Sequence, residues 1–110
     1  MSLLEIFEKV NLVTPIEQRR FLNYFEDSVA ELEAMYNGFV FKKGMTWQPP
    51  KSLSDESVVL PLYSNAIVDN IIFLSGGEES RKSEFIRKSR EAYLKYWNDN
   101  AKGKKMRRKG

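Results

Sequence analysis

Asp27 and Glu31 stand four residues apart in a stretch with helical spacing, and Glu78 and Glu79 stand side by side just before another. By type and spacing these carboxylates are the side chains best able to do chemistry. Two carboxylates on one helix face can hold a hard cation through oxygen ligands. The same spacing also describes a solvated face, and these two lie on the arc opposite the aromatic residues, which favours the plainer reading. Glu78 and Glu79 fall where a helix presents the positive end of its dipole, and that placement accounts for them fully. The run "SGGEESRKS" is glycine-rich ahead of a helix, as a phosphate cradle is. It lacks the spacings of the known phosphate loops, and two glutamates in its first turn would repel an anion. The chain has no Cys and no His. Thiolate nucleophiles, disulfides, Cys-ligated zinc and Ser-His or Cys-His dyads are therefore excluded. No cofactor motif and no metal-ligand set emerges, and the expectation is a protein that is not an enzyme.

The elements that must position these residues fit in one domain. The chain has 110 residues, 42% of them hydrophobic and 13% aromatic, a composition that supports one modest core rather than disorder. The net charge of +3 conceals an asymmetry. Lys102, Lys104, Lys105, Arg107, Arg108 and Lys109 hold six positive charges at one end. Removing those six from the 18 basic residues leaves 12 against 15 acidic ones, a net of −3 for the body. The division expected is a helical domain over residues 1–100 and a basic, disordered tail over 101–110. The opening "MSLLEIFEKV" carries Glu5 and Glu8 and no basic region, so it does not read as a secretory signal. No apolar run reaches the ~20 residues that span a bilayer, and no membrane partner is expected.

Four helices are predicted. Ser2-Leu3-Leu4-Glu5 has the form of a capping box and opens a short helix to about Val10, with Leu3, Leu4, Phe7 and Val10 inward. Thr14-Pro15-Ile16-Glu17 predicts a second start, with Thr14 as cap and Pro15 in the first helical position. That helix runs to Tyr36 and ends at Asn37-Gly38. The segment 37–57 is the loosest. "GFVFKKGMTW" suggests a short strand or hairpin around Phe39 to Phe41 turning at Lys43-Gly44, and "QPPKSLSDES" reads as loop. A third helix begins near Ser57 with Pro61 in its first turn and stops at Ser75-Gly76-Gly77. The fourth follows Glu78-Glu79 and runs to about Asn98, with Phe85, Ile86, Ser89, Ala92, Tyr93, Tyr96 and Trp97 sharing one face. The fold class expected is mainly α: a small bundle of about four helices, with a long loop or short β-hairpin between helices two and three.

The third helix is unusual. Its main apolar face fills about half the circumference at ~100° per residue. Val68 and Ile72 add a second stripe. Such a helix is central in its own domain or touches another subunit. Trp47 beside Pro49-Pro50 reads either as a partner anchor or as a contact that pins the loop. The basic tail could neutralise phosphates without reading sequence, and Tyr93, Tyr96 and Trp97 could stack on bases. Their spacing is equally that of a core face, and the acidic body speaks against a dedicated nucleic-acid-binding domain.

Taken together, the segments "TPIEQRRFLNYFEDSVAELEAMYNG" and "LPLYSNAIVDNIIFL", the glycine turn, and the last helix ending in aromatic and basic residues resemble the small head–tail connector proteins of long-tailed bacteriophages and prophages. The resemblance covers roughly residues 12–98. It rests on Ala30-Glu31-Leu32 near the end of the long helix and on Leu60-Pro61 with Ala66-Ile67 opening the next. The chain departs from the family pattern in having Glu17-Gln18 where many relatives carry paired acids. The resemblance implies a non-enzymatic structural protein of virion assembly and DNA packaging. Its copies would form an oligomeric ring between portal and tail and extend the DNA channel. The implied partners are the portal protein, neighbouring head–tail proteins, and DNA passing without sequence-specific contact. The implied location is the head–tail junction of the virion, and the host cytoplasm during assembly, with a monomer before the portal is present compatible with this. Val68 and Ile72, with Phe39, Phe41 and Trp47, are the candidate subunit-interface residues. The six basic tail residues are the candidates for partner docking or phosphate contact. The alternative is a small helical nucleic-acid-binding or regulatory protein that uses the tail.

Overall fold

A computed structural model describes the backbone of residues 1–109 and the side chains of residues 1–99. Four α-helices make up most of it: α1 (Leu3–Val13), α2 (Gln18–Tyr36), α3 (Ser64–Leu74) and α4 (Glu79–Lys109), with a 3-10 turn over Pro61–Tyr63 leading into α3. No helix among the described residues is long and apolar enough to cross a membrane.

The first capping box forms as read. The Glu5 N–H donates to Ser2 Oγ at 3.2 Å, and the Ser2 N–H donates to the Glu5 carboxylate at 3.1 Å. Those bonds, the backbone one first, hold the Glu5 carboxyl below its ordinary range. The inward side of α1 is Leu3, Ile6 and Val10, whereas Leu4 is exposed. Spacing of three and four selects Ile6 over Leu4 once Leu3 and Val10 are fixed in the core.

The second start differs from expectation. Thr14 does not cap α2. It is extended at the C-terminus of α1, where its N–H donates to the Val10 carbonyl at 2.8 Å. A residue before proline disfavours helical backbone, so Thr14-Pro15 makes a corner, and α2 begins after Glu17 with no side-chain cap. Asn11 secures that corner by accepting from the Ile16 N–H at 3.1 Å.

The loop after α2 is not a local hairpin turning at Lys43-Gly44. A turn does form there, with the Met45 N–H on the Lys42 carbonyl. The pairing partner of Phe41, however, is Val59, across an isolated antiparallel bridge. Lys42 N–H donates to Val58 O at 2.7 Å and Leu60 N–H to Val40 O at 2.9 Å. The far end of the segment, rather than its next residues, supplies the strand partner, because Val40 and Val59 are both drawn into the core.

Pro61 fixes the start of the 3-10 turn, and α3 proper begins later than the sequence suggested. It ends in a Schellman motif: Gly76 has φ of 101°, its N–H donates to Phe73 O, and the Gly77 N–H donates to Ile72 O at 3.0 Å. A Cβ on Gly77 would lie 2.7 Å from that same carbonyl.

The core explains the wide apolar face of α3. This helix packs against α1, α2 and α4, and Ala66, Ile67, Ile71 and Ile72 are all buried. Phe21, Phe25, Val29 and Leu32 of α2 and Phe85 and Ala92 of α4 complete the cluster around it. The helix lies at the centre of its own domain.

Candidate functional site

Two polar residues of α3, Asp69 and Asn70, sit where an apolar helix has no surface left to give them. Asp69 is 2% exposed and Asn70 is fully buried. Each finds its partners on neighbouring helices. Asp69 accepts from Arg81 Nη1 at 2.9 Å and from Lys88 Nζ at 2.6 Å, both on α4. Arg81 and Lys88 are seven residues apart, two helical turns, so they reach one carboxylate from the same side of α4. The Asn70 amide nitrogen donates to Ser28 Oγ at 2.8 Å and to the Glu31 carboxylate at 2.7 Å, and its carbonyl oxygen accepts from Lys82 Nζ at 3.0 Å. Lys82 is also ion-paired with Glu31. Its ammonium lies 4.9 Å from the Phe85 ring centroid. Ser28 completes the chain by donating to the Tyr24 carbonyl at 2.8 Å. The network ties α2, α3 and α4 together, and among the described residues no buried side-chain polar atom is left without a partner.

Chemically this arrangement is a clasp. Both oxygens of Asp69 are engaged by cations, and both Glu31 oxygens are engaged by Lys82 and Asn70. Asp27 stays on the exposed side of α2, so Asp27 and Glu31 do not converge on a cation. Among the described residues no group of three or more His, Cys, Asp or Glu is placed to hold a metal ion.

The candidate interface residues separate. Ile72 is 3% exposed and belongs to the chain's own core. Val68 is half-buried and packs on that core. Phe41 and Trp47 stack at 5.5 Å, and Trp47 also lies 6.3 Å from Phe25, so this tryptophan pins the loop to α2. Phe39 is the most open of the five, at 38%. It stands edge-on to Tyr93 at 5.5 Å and Tyr96 at 5.9 Å, at the margin of an aromatic group in which Tyr36 stacks on Tyr93 at 4.6 Å. Beneath them the Tyr63 hydroxyl donates to the Phe39 carbonyl at 2.8 Å, and burial, with the neighbouring tyrosines adding, pushes its pKa up to about 12. The six basic residues from Lys102 to Lys109 lie outside the residues whose side chains are described. The helical backbone of α4 nevertheless continues to Lys109, past the end expected near Asn98.

The sequence reading missed two features. Ile86 and Trp97 are not on the core face of α4. They are 47% and 49% exposed, and with Leu94 they form an outward apolar line. Phe85, Ser89 and Ala92 take the core instead. The other omission is the clasp itself. Its signal was the adjacent pair Asp69-Asn70 inside an apolar helix, matched by Arg81, Lys82 and Lys88 with a two-turn period.

Comparison with protein-family models, curated proteins and solved structures gave no match.

Proposed function

We propose that this chain is a non-enzymatic structural protein of a bacteriophage or prophage, a head–tail connector whose copies form a ring between portal and tail and extend the DNA channel. The observation that carries this reading is the way polar and apolar groups are spent. The buried polar side chains satisfy one another inside the fold, while large apolar side chains remain outside on separate elements. Leu12 and Val13 are exposed at the end of α1, and Ile86, Leu94 and Trp97 on α4. A subunit in a closed ring needs two different sticky surfaces, because a heterologous contact repeats around the axis. The segments that carry the family resemblance coincide with α2 and with the 3-10 turn plus α3, which together supply more than half of the core. Of the candidate interface residues, Phe39 offers the most surface to a portal or neighbouring head–tail protein, and Val68 offers a partial one. Negative-stain electron microscopy of the purified protein at high concentration tests the reading. Closed rings with a central hole are expected. Single particles without rings, from a gene that has no portal gene beside it, would remove the connector assignment.

A second reading is favoured by one observation. Trp97 exposes its ring on the helix that leads into the basic run, and Phe39, partly exposed in the loop after α2, stands edge-on to Tyr93 and Tyr96 of that helix. Aromatic faces beside clustered cations are the elements of a single-strand binding surface. That reading requires binding that weakens steeply with salt and is lost with residues 101–110.

A further inference from the structure

Two outward faces of this molecule complement each other in charge and in side-chain size. On α4, Ile86, Arg90 and Leu94 recur every four residues and fall within an arc of about 80° at ~100° per residue. All three are exposed, and together with Ser83, Arg87 and Glu91 they line a surface hollow. Arg87 is already held by Glu84 and Glu91 of its own helix. Arg90 has no ion pair or hydrogen bond among the described residues. On α2, Glu26, Asp27, Ala30, Glu33 and Ala34 are all exposed within an arc of about 120° at the same ~100° per residue. None of its three carboxylates is paired among the described residues. The first face is two apolar knobs around an unpaired cation. The second is two small residues flanked by unpaired anions.

We infer that the α4 face of one copy docks on the α2 face of a second copy, with Ile86 and Leu94 seated over Ala30 and Ala34 and Arg90 meeting Glu26 and Glu33. The inference rests on the assembly reading above. An α4–α4 contact through the same knobs would bring Arg90 against Arg90, a like-charge juxtaposition that disfavours it. Alanines admit close approach of a partner helix, and the acids at their margin select a basic one. The two faces lie on different helices that both pack on α3. Made once per pair of copies, the contact is heterologous, and each copy keeps one unused face for the next.

The test uses the full chain and four samples, three proteins and a mixture of two of them, followed by sedimentation velocity over a wide concentration range. The unaltered protein self-associates. Arg90→Glu alone, and the double variant Glu26→Lys/Glu33→Lys alone, each weaken association by roughly tenfold or more. An equimolar mixture of the two variants regains association, because each now offers the face the other lacks. All three substitutions are at exposed positions, and unchanged far-ultraviolet circular dichroism checks that the fold is kept. Loss in Arg90→Glu but not in the α2 variant would point to an α4–α4 contact and overturn the inference. So would a mixture that stays apart, or an unaltered protein that is monomeric throughout. Closed rings indifferent to both variants would remove this contact and leave the connector reading standing. Charge-obedient association into open chains would keep the contact and remove the ring.

Discussion

Asp69 shows how a single residue can hold two elements, α3 and α4, in register. A carboxylate this deeply buried is tolerated only because Arg81 and Lys88 neutralise it and occupy its two oxygens. Those cations are partly exposed, so removing the carboxylate lets them return to water, whereas removing both cations strands a buried anion. Asp69→Ala is therefore expected to cost about 2 kcal/mol. The pair Arg81→Ala with Lys88→Ala should cost more than Asp69→Ala, and adding Asp69→Ala to that pair should recover part of the loss. Urea unfolding of the four proteins gives this cycle, and simple additivity would show that the clasp does not act as a unit. Tyr63 makes a second prediction at this scale. Its phenol loses its proton near pH ~10 in an unfolded chain and at about 12 in the folded one. Between those values the folded state binds more protons than the unfolded one. The stability it contributes is thus whole below pH ~10 and is lost as pH rises through about 12. Urea midpoints measured across that window should fall, and in Tyr63→Phe the fall should be shallower from a starting stability lower by ~1 kcal/mol.

At the scale of elements, the loop between α2 and α3 is the part whose order depends on one side chain. Trp47 stacks on Phe41 at the neck and covers Phe25, which is fully buried. Trp47→Ala is expected to lower stability by about 2 kcal/mol and to speed hydrogen exchange at the Lys42 and Leu60 amides, leaving α3 protected. Unchanged exchange at those two amides would mean the backbone bridge holds the neck by itself. This loop also marks where sequence reading runs out. Helix existence was legible, because Ser2-Glu5, Asn37-Gly38 and Ser75-Gly76-Gly77 are local signals that act within one turn. The pairing of Phe41 with Val59 was not, because eighteen positions of chain separate them and only the shared core decides it. Thr14-Pro15 misled for a related reason: the same residues can open one helix or close another, and the close of α1 prevailed. On α4, every residue named for the inward face lay within a wide arc, and only contact with α3 shows that Phe85 and Ala92 turn in while Ile86 and Trp97 turn out. The clasp was written in the sequence as types and spacings, but its burial depended on which side of α3 met α4.

At the scale of the whole molecule, the defining property is the separation of charge along the chain. The body is acidic by three charges and the last eight positions before Gly110 carry six positive ones. On the connector reading proposed above, such a distribution has a use only if the basic end meets phosphates weakly and without regard to sequence, since tight or selective binding would arrest DNA in a channel. The six charges can release at most six condensed counterions, which sets the slope of log affinity against log salt at no steeper than about −5 on duplex DNA. Fluorescence anisotropy with labelled duplexes of unrelated sequence should give weak, equal affinities that follow such a slope. Truncation after Asn100 leaves only the acidic body and should abolish the binding, while circular dichroism shows the rest of the helical fold retained. A strong preference among sequences would instead favour the regulatory reading. Binding that survives truncation would place the phosphate contacts on the body, where Arg19, Arg20 and Arg90 are exposed cations without an ion pair among the described residues. Because the truncation spares both the α2 and the α4 faces named above, it also separates two roles that the intact chain combines. Self-association that persists in the truncated protein while DNA binding disappears would assign assembly to the helical body and phosphate contact to the basic end.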